Sequence, residues 1–363
     1  MDVSAAREPL VVSAWSAVSP FGIGRDAFAA GVRSGAGTAR RVAESHGEVP
    51  HDHACLVPDF DVRAVLGRKG TRSMDRVSGL AVATARELLA GVGDLGDPTR
   101  TGVVLGTSGT AQQMRDFTRD SLLGSRPFHV NPAIVPNGVM NHAASQIAIW
   151  HDLRGPNATV ATGRTSGLSA LAYARGLLRS GRARRVLVGA AEEYSATRAW
   201  LEHHRTSERL ALGEGCALFL LESGSAARDG ARRPLLEVLA VESQVALGDD
   251  VGPALRQCLV DALDRAAVRP EEIGVVRHSA APGDLGRQEV EAVRSLVGAE
   301  ALTRAPDVAC LGETSSVVAA FQLAALLSVA PTRGGVGDVA AITSVTDEGT
   351  VACGLFRLVR DRD

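Results

Sequence analysis

The sequence predicts an α/β fold, on three observations. Short apolar runs alternate with longer amphipathic stretches, a rhythm typical of βαβ units and parallel sheets. Hydrophobic residues make up 45% of the 363 positions, which is enough to bury a sizeable core in two or three domains. Only 4% of the residues are aromatic while glycine occurs 39 times, which indicates cores of small aliphatic side chains with close backbone approaches.

The first half of the chain supplies the clearest elements. A β-rich run ends before Pro20 and Gly22, and a helical pattern follows. Further along, an apolar strand ends in the glycine-containing turn 106–109, as expected where a strand leads into a helix. The predicted strands are Leu10–Val18, Gly102–Leu105, Arg185–Gly189 and Cys216–Glu222, and the predicted helices are Asp26–Arg33, Arg72–Gly91 and Ser166–Ser180.

The second half begins after the small, polar and charged segment Ser223–Arg233. The rhythm resumes there with a strand over Leu235–Val241, a helix over Gly252–Ala267 and strands over Ile273–His278 and Thr350–Leu358. Each half ends in a short apolar strand after a glycine-containing turn, which hints at duplication. We therefore predict two domains, 1–225 and 226–363.

Charge and cysteine content exclude several classes of function. The formal net charge is −2 with no block of like charge, so electrostatic capture of nucleic acid or an acidic membrane is not expected. Five widely spaced cysteines without a CxxC pair argue against a disulfide framework or a zinc site. The longest apolar run, Val317–Ala330, is too short to span a bilayer. The sequence predicts a cytoplasmic protein with no metal and no cofactor.

The most informative segment is 156–191, which is predicted to form a strand, a tight turn over 163–167, a long helix and a strand. Such a turn holds residue 164 at a helix N-terminus, where backbone N–H groups and the helix dipole favour an anion or an activated nucleophile. Residue 164 is an arginine, which is neither a nucleophile nor a general base. Thr165 and Ser166 flank it as N-capping residues or, alternatively, nucleophiles.

Six segments in register resemble the β-ketoacyl synthases of fatty acid and polyketide synthesis, members of the thiolase superfamily. They cover nearly the whole chain: VVSAWSAVSPFGIG at 11–24, FDVRAVLGRKGTRSMDRVSGLAVATA at 60–85, GVVLGTSGT at 102–110, PAIVPNGVMNHAASQIAIWHDLRGPNATVATG at 132–163, LGEGCALFLLE at 212–222, and the segment around His278.

The resemblance implies a thiolase-like five-layer αβαβα fold built from two similar halves with mixed, largely parallel sheets. It also implies dimers in which strands pair across the two-fold axis. In that family a cysteine in the turn is acylated, and two histidines assist decarboxylative condensation with a malonyl-carrier protein.

The chain departs from this pattern at nearly every chemical position. By the resemblance, the cysteine falls at Arg164 and the second histidine at Glu313, while the first histidine is retained as His278. The lysine five residues before the second histidine falls at Val308, and the Gly-Phe-Gly-Gly loop reads Thr-Asp-Glu-Gly at 346–349. About twenty residues separate Glu192-Glu193 from 213–215, roughly half the expected number, so the subunit need not close a site of its own.

Condensation by this chain alone is therefore not expected. A ketosynthase-like subunit without its cysteine looks like a chain-length factor, the non-catalytic partner of an active ketosynthase in type II polyketide synthesis, which completes the heterodimer and shapes the acyl tunnel. An acyl carrier protein is the implied second partner. Two alternatives stay open: an enzyme that uses His278 to decarboxylate or hydrolyse acyl- or malonyl-carrier protein, and a non-catalytic homodimer that binds acyl groups or carrier protein.

Arg164 and Glu313 carry opposite charges at positions that face one another in the implied fold. We therefore predict a salt bridge that fills the relict pocket, since an unpaired buried arginine costs several kcal/mol. Asp347 and Glu348 are rival partners, and Arg164 turned toward solvent or an interface is the alternative. His278 is interpreted as a hydrogen-bonded structural residue, with a general base as the alternative.

By the resemblance, one set of apolar side chains lines or approaches the dimer seam. In chain-length factors, bulky residues there end the tunnel that holds the growing chain. Ordinary core packing is the alternative for each of them. The set is Met114, Phe117, Phe128, Val130 and Met140.

Overall fold

The computed structural model describes residues 8–42, 46–206, 208–303, 308–329 and 339–359. Its strands are β1 (Leu10–Ser19), β2 (Gly22–Ile23), β3 (Arg40–Arg41), β4 (His53–Cys55), β5 (Thr101–Gly106), β6 (Asn157–Val160), β7 (Arg185–Glu192), β8 (Leu212–Gly213), β9 (Gly215–Ser223), β10 (Leu236–Val245), β11 (Ile273–Arg277), β12 (Val339–Val345) and β13 (Thr350–Leu358). Its helices are α1 (Arg25–Ser34), α2 (Val62–Leu66), α3 (Arg76–Ala90), α4 (Ala111–Leu123), α5 (His142–Trp150), α6 (Ser166–Arg179), α7 (Ala196–Arg205), α8 (Gly224–Asp229), α9 (Gly252–Ala266), α10 (Gly283–Val297), α11 (Glu300–Thr303) and α12 (Val318–Val329).

Every predicted helix and strand of both halves is present, with ends that differ by a few residues. The largest differences are at the end of β10, predicted at Val241 and observed at Val245, and at the start of α3, predicted at Arg72 and observed at Arg76. The helix starts late because the Asp75 carboxylate accepts a hydrogen bond from the Ser78 backbone N–H at 3.0 Å, which caps its first turn.

The main sheet repeats one strand order in the two halves of the chain. The first half forms β6-β5-β7-β9-β1 and the second β11-β12-β13-β10, and the two join where β1 pairs with β10 through Val11 and Val12. The corresponding strands are thus β1 and β10, β5 and β11, β7 and β12, and β9 and β13. The repeat confirms two similar halves, whereas the predicted domain boundary after residue 225 falls within α8 and stays a prediction.

The sheet is mixed, as predicted, but it is not largely parallel. Among the described strands of the main sheet, only β5–β6, β5–β7 and β11–β12 pair in parallel. The other pairs are antiparallel. Four of them arise because the last strand of each half, β9 or β13, runs against both of its neighbours, and the remaining two are β1–β10 and β1–β2. The βαβ rhythm predicted parallel pairing and did not reveal that these final strands insert between earlier ones.

The helices complete five layers. α6 and α12 pack between the two halves of the sheet, α3 and α5 cover the outer face of the first half, and α9 and α10 cover that of the second. α12 is apolar on all sides because it is buried on all sides. No described helix is long and apolar enough to cross a bilayer.

Glycines let the layers approach closely enough to build the site. A Cβ at Gly106, the last residue of β5, would lie 2.9 Å from Ser166 at the start of α6. A Cβ at Gly167 would lie 3.1 Å from the backbone nitrogen of Ala320 in α12. The N-terminal ends of both central helices are therefore held beside the end of β5, as the high glycine content predicted.

Candidate functional site

The turn over Gly163–Thr165 lies between β6 and α6, and Gly163 adopts φ +56°, which favours glycine. The hydroxyl of Thr165 donates to the Thr162 carbonyl at 2.7 Å, and that of Ser166 donates to the Gly163 carbonyl at 2.7 Å. Both hydroxyls brace the turn. Thr165 occupies the predicted N-cap position of α6, but its side chain does not accept a hydrogen bond from a helix amide, so that part of the prediction is wrong. Ser344, in β12, donates to the Arg164 carbonyl at 2.9 Å and fixes the turn to the second half.

Arg164 forms the predicted ion pair. Its Nη1 donates to Oε2 of Glu313, its Nη2 donates to the Ser279 carbonyl, and the two side chains are only 7% and 10% exposed. The rival Asp347 pairs instead with Arg205. Nε of Arg164 has no hydrogen-bond partner among the described residues. The pocket thus holds a cation and an anion that neutralise one another.

Glu313 is fixed on all sides by its own segment and its neighbours. Its Oε1 accepts from the Ser315 backbone N–H at 2.7 Å, and its carbonyl accepts from the Gly213 N–H at 2.8 Å and from Arg198 Nη2 at 2.9 Å. Its own N–H donates to the Ala211 carbonyl at 2.9 Å. The carboxylate is therefore held in place independently of Arg164.

His278 follows β11 and is half-buried. Its Nδ1 lies 3.2 Å from the Ala280 backbone nitrogen and accepts that N–H, which places the proton of the neutral ring on Nε2. The next residue, Ser279, is fixed by Glu289, which accepts from the Ser279 N–H at 2.9 Å and from its hydroxyl at 2.7 Å. The Ser279 carbonyl is thereby aimed at Arg164.

A cavity of about 290 Å³ remains outside the ion pair. Arg164 and Glu313 line one wall of it, and Val308, at the position of the expected lysine, lines another. The short segment before β8 contributes Glu208, Arg209, Leu210 and Ala211 to the same cavity. This segment packs against the Glu313 backbone, because the Ala211 carbonyl accepts the Glu313 N–H. That the subunit need not close a site of its own stays a prediction.

None of the five predicted tunnel residues is part of the described core. Met114, Phe128 and Met140 are 47%, 70% and 50% exposed, and Phe117 and Val130 are half-buried. Core packing is therefore excluded for them in this chain. Five further exposed apolar residues come from the same segments, and sequence reasoning missed them although runs such as SLLG and QIAIW carried the signal: Leu122, Leu123, Val135, Val139 and Ile149. We call the eight exposed side chains the seam face.

A short path connects the ion pair with the seam face. Ser315, beside Glu313, has φ +45°, a left-handed conformation uncommon for serine. Its hydroxyl lies 2.9 Å from that of Ser108, in the turn after β5. The next residue, Gly109, lies against Met140, whose Sδ would be 3.6 Å from a Cβ at that position. The relict pocket and the seam face are thus adjacent.

Sequence reasoning also missed a buried acid beneath α4. Glu193 accepts from the Val77 N–H at 3.0 Å and from Gln113 Nε2 at 3.1 Å. Burial, reinforced by the nearby Asp75 carboxylate, raises the pKa of Glu193 to about 8. Burial also lowers the pKa of His142, on α5 close to Asp75.

Comparison with known proteins fits this architecture. A model of the β-ketoacyl synthase N-terminal domain matches residues 7–227. The chain belongs to the β-ketoacyl synthase family. A relative from Streptomyces rimosus, described as oxytetracycline polyketide putative β-ketoacyl synthase 1, is 28% identical over 328 residues, which cover 80% of this chain and 77% of the relative. A putative polyketide β-ketoacyl synthase 2 from Streptomyces halstedii is 28% identical over 348 residues, which cover 88% and 83%.

Solved structures of the β-ketoacyl synthase family share the whole fold. A structure titled the ishigamide ketosynthase/chain length factor superposes with a TM-score of 0.92 at 45% identity, over 97% of this chain and 100% of that one. A type II ketosynthase complex with its acyl-carrier protein, AntDE:AntF, superposes with a TM-score of 0.81 at 18% identity, over 97% and 100%, and shows the fold alone. The five-layer thiolase-like fold is thus confirmed.

Proposed function

We propose that this chain is the non-condensing, chain-length-factor-like subunit of a ketosynthase heterodimer that elongates polyketide or fatty-acid-like chains. The observation that carries the proposal is the Arg164–Glu313 ion pair, which occupies the place where the family acylates a cysteine. An arginine held by a carboxylate and a carbonyl offers no group to acylate. The 45% identity with the ishigamide ketosynthase/chain length factor supports the same role.

The seam face supports a partner subunit. It gathers eight exposed apolar side chains from three segments of the chain, and contiguous apolar surface of this kind is typical of protein–protein interfaces. β6 lies beside them at the edge of the main sheet and has one unpaired side, which can accept a strand from another subunit. The partner is a ketosynthase that carries the cysteine and both histidines, and the seam face completes its acyl tunnel.

A basic depression supports an acyl carrier protein as the second partner. Arg63, Arg68 and Arg72, around α2, line an open depression of about 680 Å³, and Lys69 is exposed beside them. Exposed guanidinium groups in a depression attract an acidic protein surface and its phosphate.

Co-expression with a cysteine-bearing ketosynthase tests the proposal. We expect a one-to-one complex by light scattering, with condensation of malonyl-carrier protein only when both chains are present. Leu122→Glu on the seam face should abolish the complex, whereas Leu247→Glu should leave it intact, because Leu247 is fully exposed on the loop after β10.

Variants of the two chains separate the proposal from its alternatives. Substituting the partner's cysteine should abolish all turnover, and His278→Ala in this chain should leave turnover intact. Turnover by this chain alone that His278→Ala removes would instead establish the decarboxylase or hydrolase. A stable homodimer that does not bind the ketosynthase and shows no turnover would establish the other alternative, a non-catalytic homodimer that binds acyl groups or carrier protein.

A further inference from the structure

Two cysteines far apart in sequence meet inside the second half. Cys258, on α9, and Cys353, on β13, are separated by 95 residues, yet their Sγ atoms lie 3.5 Å apart. Sγ of Cys353 also lies 3.3 Å from the Cys258 carbonyl oxygen and donates to it. The two sulfur atoms are therefore in van der Waals contact across the interface between an outer helix and the sheet.

This contact is distinct from the relict pocket and from the seam face. Both thiols are fully buried, in the apolar core that α9 forms with β10, β12 and β13. In the sheet, Cys353 lies opposite Glu242 on one side and Thr343 on the other. The other three cysteines, Cys55, Cys216 and Cys310, are also free thiols.

We propose that Cys258 and Cys353 form a reversible modification site, an intramolecular disulfide that closes under oxidation by a peroxide. The sulfur atoms must approach by roughly 1.5 Å to reach bonding distance, a movement within reach of side-chain rotation. One thiolate attacks hydrogen peroxide and releases hydroxide, which leaves a sulfenic acid. The second thiol displaces water from it, so that two thiols and one peroxide give one disulfide and two waters.

Burial makes this reaction slow, and contact makes it selective. Hydrogen bonding to Cys258 and burial raise the pKa of Cys353, so little thiolate is present at neutral pH. A sulfenic acid formed at either sulfur has the other thiol already beside it, so closure outruns further oxidation. The product ties α9 to the sheet and closes a long loop, which stabilises the folded chain against the unfolded one.

Peptide mapping of the full chain tests the site. The reduced protein is treated with hydrogen peroxide, its remaining thiols are blocked under denaturing conditions, and the digest is searched for a peptide that links Cys258 and Cys353. We expect this to be the main linked peptide, to form faster at pH 9 than at pH 7, and to revert with a thiol reductant. The oxidised protein should melt several degrees higher than the reduced protein.

Two variants make the test specific. Cys258→Ser should abolish the linked peptide and the rise in melting temperature, whereas Cys216→Ser, at a buried thiol in the other half, should preserve both. Recovery of Cys258 and Cys353 as free thiols after Cys310, the least buried cysteine, has been oxidised would overturn the proposal. Linked peptides that appear only with other cysteine pairings would overturn it as well, since they would indicate cross-linking of unfolded chains.

Discussion

Arg164 and Glu313 are each other's counter-ion, and their energetics follow from burial. Each side chain is at least nine-tenths buried, so the loss of one leaves the charge of the other poorly solvated and without a counter-ion. The same desolvation cost means that an apolar pair of similar volume is tolerated in their place.

We expect Arg164→Met or Glu313→Leu alone to lower the free energy of unfolding by about 3–5 kcal/mol. The double variant should cost much less than the two single variants together, because it leaves no buried charge. Urea denaturation of all four proteins measures this coupling. The exposed Arg205–Asp347 pair is the control, for which each single variant should cost about 0–1 kcal/mol. Additive effects at Arg164 and Glu313 would contradict the pairing.

Glu193 makes the free energy of unfolding fall as pH rises. Its pKa lies near 8 in the folded chain against an ordinary value of 4.5, so the folded state binds this proton more tightly than the unfolded state. Its contribution to stability is complete below pH 4.5 and is lost as pH rises to about 8.

Glu193→Gln should therefore gain stability relative to wild type between pH 5 and pH 8, as measured by urea denaturation at each pH. Asp97→Asn is the control, because a hydrogen bond from Thr99 lowers the pKa of Asp97 and keeps it ionised throughout this range. Parallel pH profiles for wild type and Glu193→Gln would show that Glu193 is already ionised in the fold.

At the scale of elements, β7 and β9 pair so closely that one position admits only glycine. A Cβ at Gly189 would overlap the Ala217 carbonyl oxygen on the neighbouring strand, and backbone cannot move aside as a flexible side chain can. Gly176 on α6 is the opposite case, since nothing lies within 4 Å of a Cβ there.

We expect Gly189→Ala to destabilise the fold by at least about 1–3 kcal/mol through overpacking. Gly176→Ala should stabilise it by about 0.5–1 kcal/mol, because alanine favours the helix interior. Thermal denaturation of both variants gives the comparison, and equal effects of the same sign would disprove the close approach of the strands.

A second expectation at this scale concerns two seam-face residues, Met114 on α4 and Met140 just before α5, and rests on the proposed function. Met114→Ala and Met140→Ala should each lengthen the products of the heterodimer, because they enlarge the space beside the turn that leads to the relict pocket. Leu247→Ala is the matched control with no expected change. Mass spectrometry of the products decides the point, and unchanged products would remove both methionines from length control.

The regular elements could be predicted because their signals are local. Periodicity located β1, β5 and α6 to within a few residues, and the composition signalled close backbone approaches such as that at Gly189. The antiparallel insertion of β9 and β13 was not predictable from periodicity, because pairing direction depends on contacts between distant segments. The burial of Glu193 was not predictable for the same reason, because its contacts come from elements that are distant in the sequence, through Val77 on α3 and Gln113 on α4.

At the scale of the whole molecule, charge is unevenly distributed despite a net value of −2. The arginines around α2 form a local basic surface, to which the proposed function assigns the binding of an acidic carrier protein. The ion pair at the pocket was predictable at this scale only through the family resemblance, which placed residues 164 and 313 opposite each other although they are 149 positions apart in the sequence.

We expect the triple variant Arg63→Ala/Arg68→Ala/Arg72→Ala to weaken carrier-protein binding by at least tenfold at low salt, since each charge-assisted contact contributes about 0.5–1 kcal/mol. Added salt should weaken wild-type binding more than binding of the variant. Surface plasmon resonance with the heterodimer measures both effects. Arg294→Ala, at an exposed arginine on α10, is the control, and an equal loss there would mean that the binding is non-specific.

On the proposed function, in which this chain does not condense, the ion pair in the pocket also opposes a return to catalysis. A cysteine at position 164 alone would leave the Glu313 carboxylate without a counter-ion. Its contacts with Ser315 and the neighbouring backbone hold it in place whether or not a cation is present. A histidine at position 313 alone would leave the Arg164 guanidinium without its carboxylate partner, with the Ser279 carbonyl as its remaining acceptor. Each single substitution therefore costs stability, so positions 164 and 313 can exchange their residues without that cost only if both change together.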